Sequence, residues 1–113
     1  MHSDDLGVDI SYVDGVAVVT VRGDLDMDSA RGLLASLDQV SADQRVLMDM
    51  AGLDFIDSSG LSLLLVQQAW RRKSGGSLQI SKPSAAVRRV VAIAGLGELL
   101  FDGADAQGSS RPT

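Results

Sequence analysis

The fold of this chain is decided by the octet Asp54-Phe55-Ile56-Asp57-Ser58-Ser59-Gly60-Leu61. A short, mostly apolar run, Val46–Met50, precedes it, and a longer run, Leu61–Trp70, follows it. The first run has the length of a strand and the second has the length of a helix. We therefore expect a strand-to-helix loop in which Asp57, Ser58 or Ser59 is the helix N-cap.

The start of this predicted helix is suited to negative charge. The first amide groups of a helix have no partner within it, and the helix dipole favours anions there. The octet therefore tolerates a phosphate, either as a bound ligand or attached to a serine. Ordinary capping is the better explanation of Asp-Ser-Ser taken alone, so a functional interpretation depends on the rest of the chain.

Length and composition limit the classes of protein to which this chain can belong. The chain has 113 residues, no cysteine and a formal net charge of −5, which indicates one domain without disulfides and without a direct nucleic-acid partner. The single histidine, His2, lies in a polar N-terminal segment, so we expect no zinc or haem site and no cofactor. Neither a signal peptide nor an apolar run of about 20 residues is present, which predicts a cytoplasmic protein without a membrane span.

A hairpin is predicted at the N-terminus. Val8–Tyr12 alternates apolar and polar residues, as an edge strand does. Asp14-Gly15 links it to Val16–Val21, whose apolar character on both faces indicates an interior strand. The edge strand can pair with a second copy of the chain, which would give a weak homodimer, or it can stay solvated, so the oligomeric state is open at this stage.

The first helix is expected after a break in the second strand at Gly23-Asp24-Leu25-Asp26. Asp28 or Ser29 can cap this helix. Its apolar residues have the spacing of one buried face. They are Ala30, Leu33, Leu34, Leu37 and Val40. A third strand is predicted over Arg45–Met50.

The second half of the chain predicts two more helices around a short strand. The helix after Gly60 should be largely buried, and Arg71, Arg72 and Lys73 are interpreted as its solvated end. Gly75-Gly76 stops this helix, and Ser77–Ile80 forms the fourth strand. Ser84 caps the third helix and Gly95 ends it. Its predicted buried face consists of Val87, Val90, Val91 and Ala94. Residues 99–101 are expected to form a short final turn or strand.

The predicted order is ββαβαβα, an α/β fold with a mixed sheet. It combines an N-terminal hairpin with parallel strands, and its helices pack mainly on one face. The domain is expected over residues 8–101, between a flexible N-terminus at residues 1–7 and a disordered tail at 102–113. Parallel pairing of the second and third strands would place Asp24 and Asp26 near Ser58. These loops, or the free sheet face, are expected to carry function.

Catalysis is not favoured by the residues present. Ser58 has no histidine to activate it, and no glycine-rich phosphate loop with its lysine is found. Asp24, Asp26, Asp54 and Asp57 can in principle bind Mg²⁺, but loop aspartates are usually caps and turn formers. A phosphorylation switch requires only one exposed hydroxyl, which gains about −1.5 to −2 charges. Beside carboxylates, that charge would oppose the binding of a partner.

The chain resembles the STAS domain family, the sulphate transporter and anti-sigma factor antagonist family. The resemblance covers about Val8–Phe101 and is strongest to the small, stand-alone bacterial anti-sigma factor antagonists. It is carried by several motifs in the expected sequence. They are Gly23-Asp24-Leu25-Asp26, Phe55–Leu61, Gly75-Gly76, Pro83-Ser84, Val87-Arg88-Arg89 and Gly95-Leu96. Asp24 replaces the more usual glutamate of the family and keeps its charge.

The resemblance implies a partner switch with no catalysis of its own. In such antagonists, an anti-sigma factor that is a serine kinase phosphorylates the serine after the loop aspartate, here Ser58. The unphosphorylated form binds the anti-sigma factor and so frees a sigma factor for transcription. Phosphorylation abolishes the binding, and a phosphoserine phosphatase restores it. The implied partner-binding residues are Asp24, Asp26, Asp57, Ser58, Ser59, Gly60 and Leu61.

Two alternatives stay open at this stage. Some STAS domains never meet a kinase and are non-phosphorylated subunits or scaffolds of membrane transport complexes, including lipid-transport complexes, or of stress-signalling complexes. Nucleotide binding in the loop region is another possibility, for which the sequence gives no independent support.

Overall fold

The computed structural model describes residues 6–102, so the N-terminal residues 1–5 and the tail at 103–113 lie outside the described residues. The elements are β1 (Gly7–Val13), β2 (Val16–Leu25), α1 (Met27–Leu37), β3 (Arg45–Ile56), α2 (Ser58–Lys73), β4 (Ser77–Ser81), α3 (Ala85–Ala94) and α4 (Gly97–Leu100). This confirms the predicted order and adds the short helix α4. Within the described range, no helix is both long and apolar enough to cross a membrane.

The strands form one mixed sheet in the order β1-β2-β3-β4. β1 is antiparallel to β2, whereas β2, β3 and β4 are mutually parallel. The predicted hairpin is confirmed at Asp14 and Gly15, whose φ angles are 52° and 79°. Both residues therefore adopt the left-handed conformation that a tight two-residue hairpin requires.

One face of the sheet is buried beneath the helices. The strand register brings Val19 of β2 beside Met48 of β3, and Met48 beside Ile80 of β4, all on this face. All three are fully buried, and they belong to one core with residues of α1, α2, α3 and α4. Side chains of the opposite face, such as Val18 and Leu47, are only half-buried. The helices therefore pack on one side, as the α/β pattern predicts.

β2 and β3 are both longer than the sequence indicates. Gly23-Asp24-Leu25 continues β2, so the predicted break at Gly23 is wrong, and β3 runs to Ile56 instead of ending at Met50. The register between the two strands shifts between Thr20 and Arg22 and again between Gly23 and Asp24. Such irregularities allow strands to bend and continue pairing past a glycine. The octet is therefore mostly strand and helix, with a single residue between them.

α3 begins and ends as predicted, but its buried face is narrower. The Ser84 hydroxyl accepts a hydrogen bond from the Val87 amide at 3.2 Å. Gly95 ends the helix in the left-handed conformation, with φ of 73°. Val87 and Val91 are buried, whereas Ala94 is exposed, contrary to the prediction. Val91 belongs to the same last turn as Ala94 and is fully buried, so only one side of that turn faces the core.

Arg71 is fully buried, which contradicts the predicted solvated helix end. Its guanidinium donates to the carbonyl oxygens of Leu37 and Ser41 at 2.8 Å each and to that of Val40 at 3.4 Å. These carbonyls lie at and just beyond the C-terminal end of α1, and those of Leu37 and Ser41 also accept from the amides of Val40 and Gln44, so Arg71 supplies a second, charged donor. Burial lowers the pKa of Arg71 from its ordinary value, and the negative charge of Asp38 opposes this shift. The cation thus joins the end of α1 to α2.

We predict that Arg71→Met lowers the free energy of unfolding by at least about 2 kcal/mol, because it removes hydrogen bonds from a charged donor to the carbonyls of Leu37 and Ser41, and such bonds contribute about 1.5–3 kcal/mol each. Methionine keeps the apolar stem but donates no hydrogen bond. The matched control is Arg72→Met at the exposed neighbouring position, which should change stability by less than about 0.5 kcal/mol. Urea unfolding of both variants measures the difference, and equal midpoints would contradict the role assigned to Arg71.

Candidate functional site

The β2–α1 and β3–α2 junctions lie side by side at one end of the sheet. Leu25 pairs with Ile56, each the last residue of its strand. The Asp57 amide donates to the Leu25 carbonyl oxygen at 3.2 Å, which carries the pairing one residue further. Asp26 and Asp57 therefore follow directly from two adjacent, hydrogen-bonded strand ends.

Asp26 is the N-cap of α1, in place of the predicted Asp28 or Ser29. One of its carboxylate oxygens accepts from the amides of Asp28 and Ser29 at 3.0 Å each. In return, the Ser29 hydroxyl accepts from the Asp26 amide at 3.0 Å, which completes a capping box. The same hydroxyl donates to the Asp24 carbonyl at 2.8 Å. The spacing Asp-x-x-Ser was the sequence signal for this arrangement.

Asp57 is the N-cap of α2, the first of the three residues proposed from the sequence. Its carboxylate accepts from the Ser59 amide at 2.9 Å and from the Gly60 amide at 3.1 Å. The Leu61 amide donates to the Asp57 carbonyl at 3.0 Å. Two amides at the helix start, those of Ser59 and Gly60, are thus already bound by a carboxylate of the chain itself. A phosphate on a neighbouring serine would have to compete with Asp57 for them.

The two serines of the octet differ in accessibility. Ser58 is the first residue of α2 and is exposed, whereas Ser59 is half-buried and lines the space between α1 and α2. Leu61 is also half-buried and packs against the core. Of the two hydroxyls, that of Ser58 is the one more open to another protein.

Gly60 allows α2 to begin in close contact with the strand ends. A Cβ atom at this buried position would lie 2.7 Å from Leu25 Cγ and 3.1 Å from Ile56 Cγ1. Both distances are too short for ordinary carbon contacts, so a larger residue would push the start of the helix away. The position of Ser58 therefore depends on the absence of a side chain at Gly60.

Exposed apolar side chains lie next to acidic residues at both junctions. Met27, between Asp26 and Asp28, is 72% exposed, and Phe55, between Asp54 and Ile56, is 48% exposed. The sequence analysis included Phe55 in the octet but assigned neither residue to the partner-binding surface. The available signal was an apolar residue next to aspartates at each junction. Exposed apolar groups ringed by charge are typical of protein-binding surfaces.

An apolar groove continues from this end of the molecule between α1 and α2. It encloses a volume of about 300 Å³. Its lining comes from both helices and is Ala30, Leu34, Ser59, Ser62, Leu63, Val66 and Gln67. The sequence analysis assigned Leu34 to the buried face of α1, but it is partly exposed here.

The structure gives no support to the Mg²⁺ alternative raised by the four loop aspartates. Among residues 6–102, no three His, Cys, Asp or Glu side chains come together closely enough to hold a metal ion. Two of the four carboxylates, those of Asp26 and Asp57, are instead helix caps.

Comparisons with known sequences agree with this architecture. A family model described as "Mlab, STAS domain" matches residues 8–101. The chain is 27% identical over 107 residues to the anti-sigma-B factor antagonist of Bacillus subtilis, a match that covers 92% of this chain and 96% of that protein.

Solved structures show the same fold. An anti-sigma factor antagonist from Mycobacterium paratuberculosis superimposes with a TM-score of 0.78 at 27% identity, covering 97% of both chains. The Bacillus anti-sigma factor antagonist SpoIIAA is 23% identical. Its unphosphorylated form gives a TM-score of 0.71 over 93% of this chain and 95% of that one, and its phosphorylated form 0.66 over 93% and 98%.

We predict that Gly60→Ala destabilises the protein by about 1–3 kcal/mol, the usual cost of overpacking. The matched control is Gly32→Ala, on the exposed side of α1, where an added Cβ meets nothing within 4 Å. That variant should gain about 0.5–1 kcal/mol from the better helix propensity of alanine. Thermal unfolding compares the two, and stabilisation by both variants would contradict the close packing at Gly60.

Proposed function

The chain belongs to the STAS domain family, and on that premise we propose that it is a cytoplasmic anti-sigma factor antagonist switched by phosphorylation of Ser58. The unphosphorylated form binds an anti-sigma factor that is a serine kinase, and so frees a sigma factor for transcription. The protein is a kinase substrate and binding module, with no catalysis of its own. The observation that carries the proposal is the exposed Ser58 hydroxyl at a helix start whose amides already bind Asp57.

The binding surface consists of the two adjacent junctions. Asp24, Asp26 and Asp57 supply negative charge, and residues 58–61 supply the start of the docking helix. This acidic surface calls for basic residues on the partner, because complementary charge raises the association rate and selects the partner. The exposed Met27 and Phe55 add apolar contact area beside the carboxylates.

Phosphorylation acts here through charge instead of refolding. A phosphate adds about −1.5 to −2 charges at neutral pH. The amides of Ser59 and Gly60 are already bound by the Asp57 carboxylate, so the helix start offers the phosphate little compensation, and the nearby carboxylates repel it. The added charge then faces the partner. A penalty of about 2.7 kcal/mol is enough to weaken binding 100-fold.

Ser58, and not Ser59, is the proposed target because of its exposure. A kinase active site must reach the hydroxyl, and Ser59 is partly covered where it lines the α1–α2 groove. A phosphoserine phosphatase needs the same access to restore the binding form. Phosphopeptide mapping distinguishes the two serines, and modification of Ser59 with Ser58 unmodified would contradict the assignment.

We predict that wild type and Ser58→Ala capture the same anti-sigma factor kinase from the native cytoplasm, whereas Ser58→Asp captures none. Alanine removes the phosphate acceptor without adding charge, and aspartate adds a permanent negative charge. Mass spectrometry of the captured proteins identifies the partner. Equal capture of one partner by all three forms would show that charge at Ser58 is not the control.

Capping and charge at Asp57 can be separated by substitution. We predict that Asp57→Asn keeps the stability within about 0.5 kcal/mol, because asparagine caps helices about as well as aspartate. Loss of the carboxylate should weaken kinase binding several-fold, most clearly at low salt. Titration calorimetry at two salt concentrations measures this effect. Unchanged affinity would remove Asp57 from the charged surface and leave it a structural cap.

A second candidate function is a non-phosphorylated STAS subunit or scaffold. It is favoured by the description of the matching family model, which names Mlab. In this case Ser58→Asp should retain its partner, and that partner should be a component of a membrane transport or stress-signalling complex. The capture experiment above therefore decides between the two candidates.

A further inference from the structure

The groove between α1 and α2 is an apolar surface that the charge switch leaves without a role. Leu34 lies on the α1 wall, and Leu63 and Val66 lie on the α2 wall. Val66 is 66% exposed, and Trp70, one helical turn further along, is 47% exposed. Residues four apart share a helix face, so Trp70 continues the apolar row of Val66. A row of exposed apolar side chains on a small, charged protein is typical of a protein-binding surface.

The two helices that line the groove run in the same direction, and one end of the groove is acidic. Both crossover helices start where the parallel strands end, so α1 and α2 run the same way along the sheet. The caps Asp26 and Asp57 are therefore at one end of the groove, next to Ser58. Asp38 and Lys73 lie at the other end, where α1 and α2 finish. α1 has 11 residues, about 16 Å at 1.5 Å per residue.

We propose that this groove receives an amphipathic helix of the same anti-sigma factor that binds at Ser58. About three turns of helix fit its length, with apolar side chains between Leu34 and Val66 and basic residues over Asp26 and Asp57. Helices commonly dock into apolar grooves through residues spaced three and four apart. This inference rests on the proposed function, because it takes its partner from the switch surface.

Two observations select this occupant. The groove is continuous with the switch, since Ser59 follows Ser58 in the chain and also lines the groove. The acidic end favours a basic partner, whereas a second copy of a chain with a net charge of −5 would be repelled. The interface then has two parts, an apolar part in the groove and a charged part that responds to phosphate.

The test measures the affinity of the purified anti-sigma factor kinase, once identified by capture, for four variants. Val66→Asp and Leu34→Asp place a charge on opposite walls of the groove. Ile93→Asp is the matched control, an 81% exposed apolar residue on α3. Ser58→Asp adds a negative charge at the proposed phosphorylation site, so its affinity tests the switch independently of the groove. Thermal unfolding first establishes that each variant is folded.

We expect Val66→Asp and Leu34→Asp to weaken binding at least about tenfold and Ile93→Asp to change it less than about twofold. Trp70 is the single tryptophan of the chain, so its fluorescence should shift to shorter wavelength when a kinase free of tryptophan docks. Light scattering should show a monomer before the partner is added.

The other outcomes separate the two proposals. Normal binding by Val66→Asp, with binding lost in Ser58→Asp, overturns groove docking and leaves the switch intact. Loss of binding in Val66→Asp and Leu34→Asp, with normal binding by Ser58→Asp, keeps groove docking and overturns the switch. Normal binding by every variant overturns both proposals. A dimer that Val66→Asp dissociates would show that a second copy occupies the groove, which also overturns groove docking.

Discussion

Past the register shift at Gly23, β2 and β3 resume parallel pairing, so that Leu25 lies beside Ile56. The hydrogen bond from the Asp57 amide to the Leu25 carbonyl then closes the end of the sheet. Everything at the candidate site follows from this pairing, since both helix caps come one residue later. Without it, Asp26 and Asp57 would belong to separate loops. The surface is therefore held by backbone hydrogen bonds between the strands, to which the side-chain caps Asp26 and Asp57 add the two helix starts.

Much of this arrangement is visible in the sequence, because it depends on local rules. The hairpin at Asp14-Gly15, the cap at Ser84 and the stop at Gly95 each follow from backbone requirements of single residues. The lengths of β2 and β3 are not visible, because glycine and aspartate oppose strand formation locally and only the neighbouring strand compensates for them. The burial of Arg71 cannot be predicted from the local sequence either, because its hydrogen-bond partners are carbonyls about 30 residues away in the chain.

The site combines two kinds of interaction with different physical dependence. Carboxylates act over a Debye length and their effect is weakened by salt, so in the proposed interface they would govern how fast the partner arrives and whether a phosphate is tolerated. The exposed side chains of Met27 and Phe55 act only on contact, so in the proposed interface they would govern how slowly the partner leaves. A switch built from charge can therefore be reset without disturbing the apolar contacts. The family resemblance first pointed to Ser58 as the modified residue, and its greater exposure than Ser59 supports that choice.

The buried guanidinium of Arg71 has a consequence for the walls of the groove. Because it holds the carbonyls at the end of α1 from a position on α2, the two helices cannot separate at that end without exposing a charge and several acceptors. The helices should then open as one cooperative unit in hydrogen exchange. The proposed partner helix would thus bind a groove whose walls are already held together at that end. Little of the binding free energy would then be lost in ordering α1 and α2.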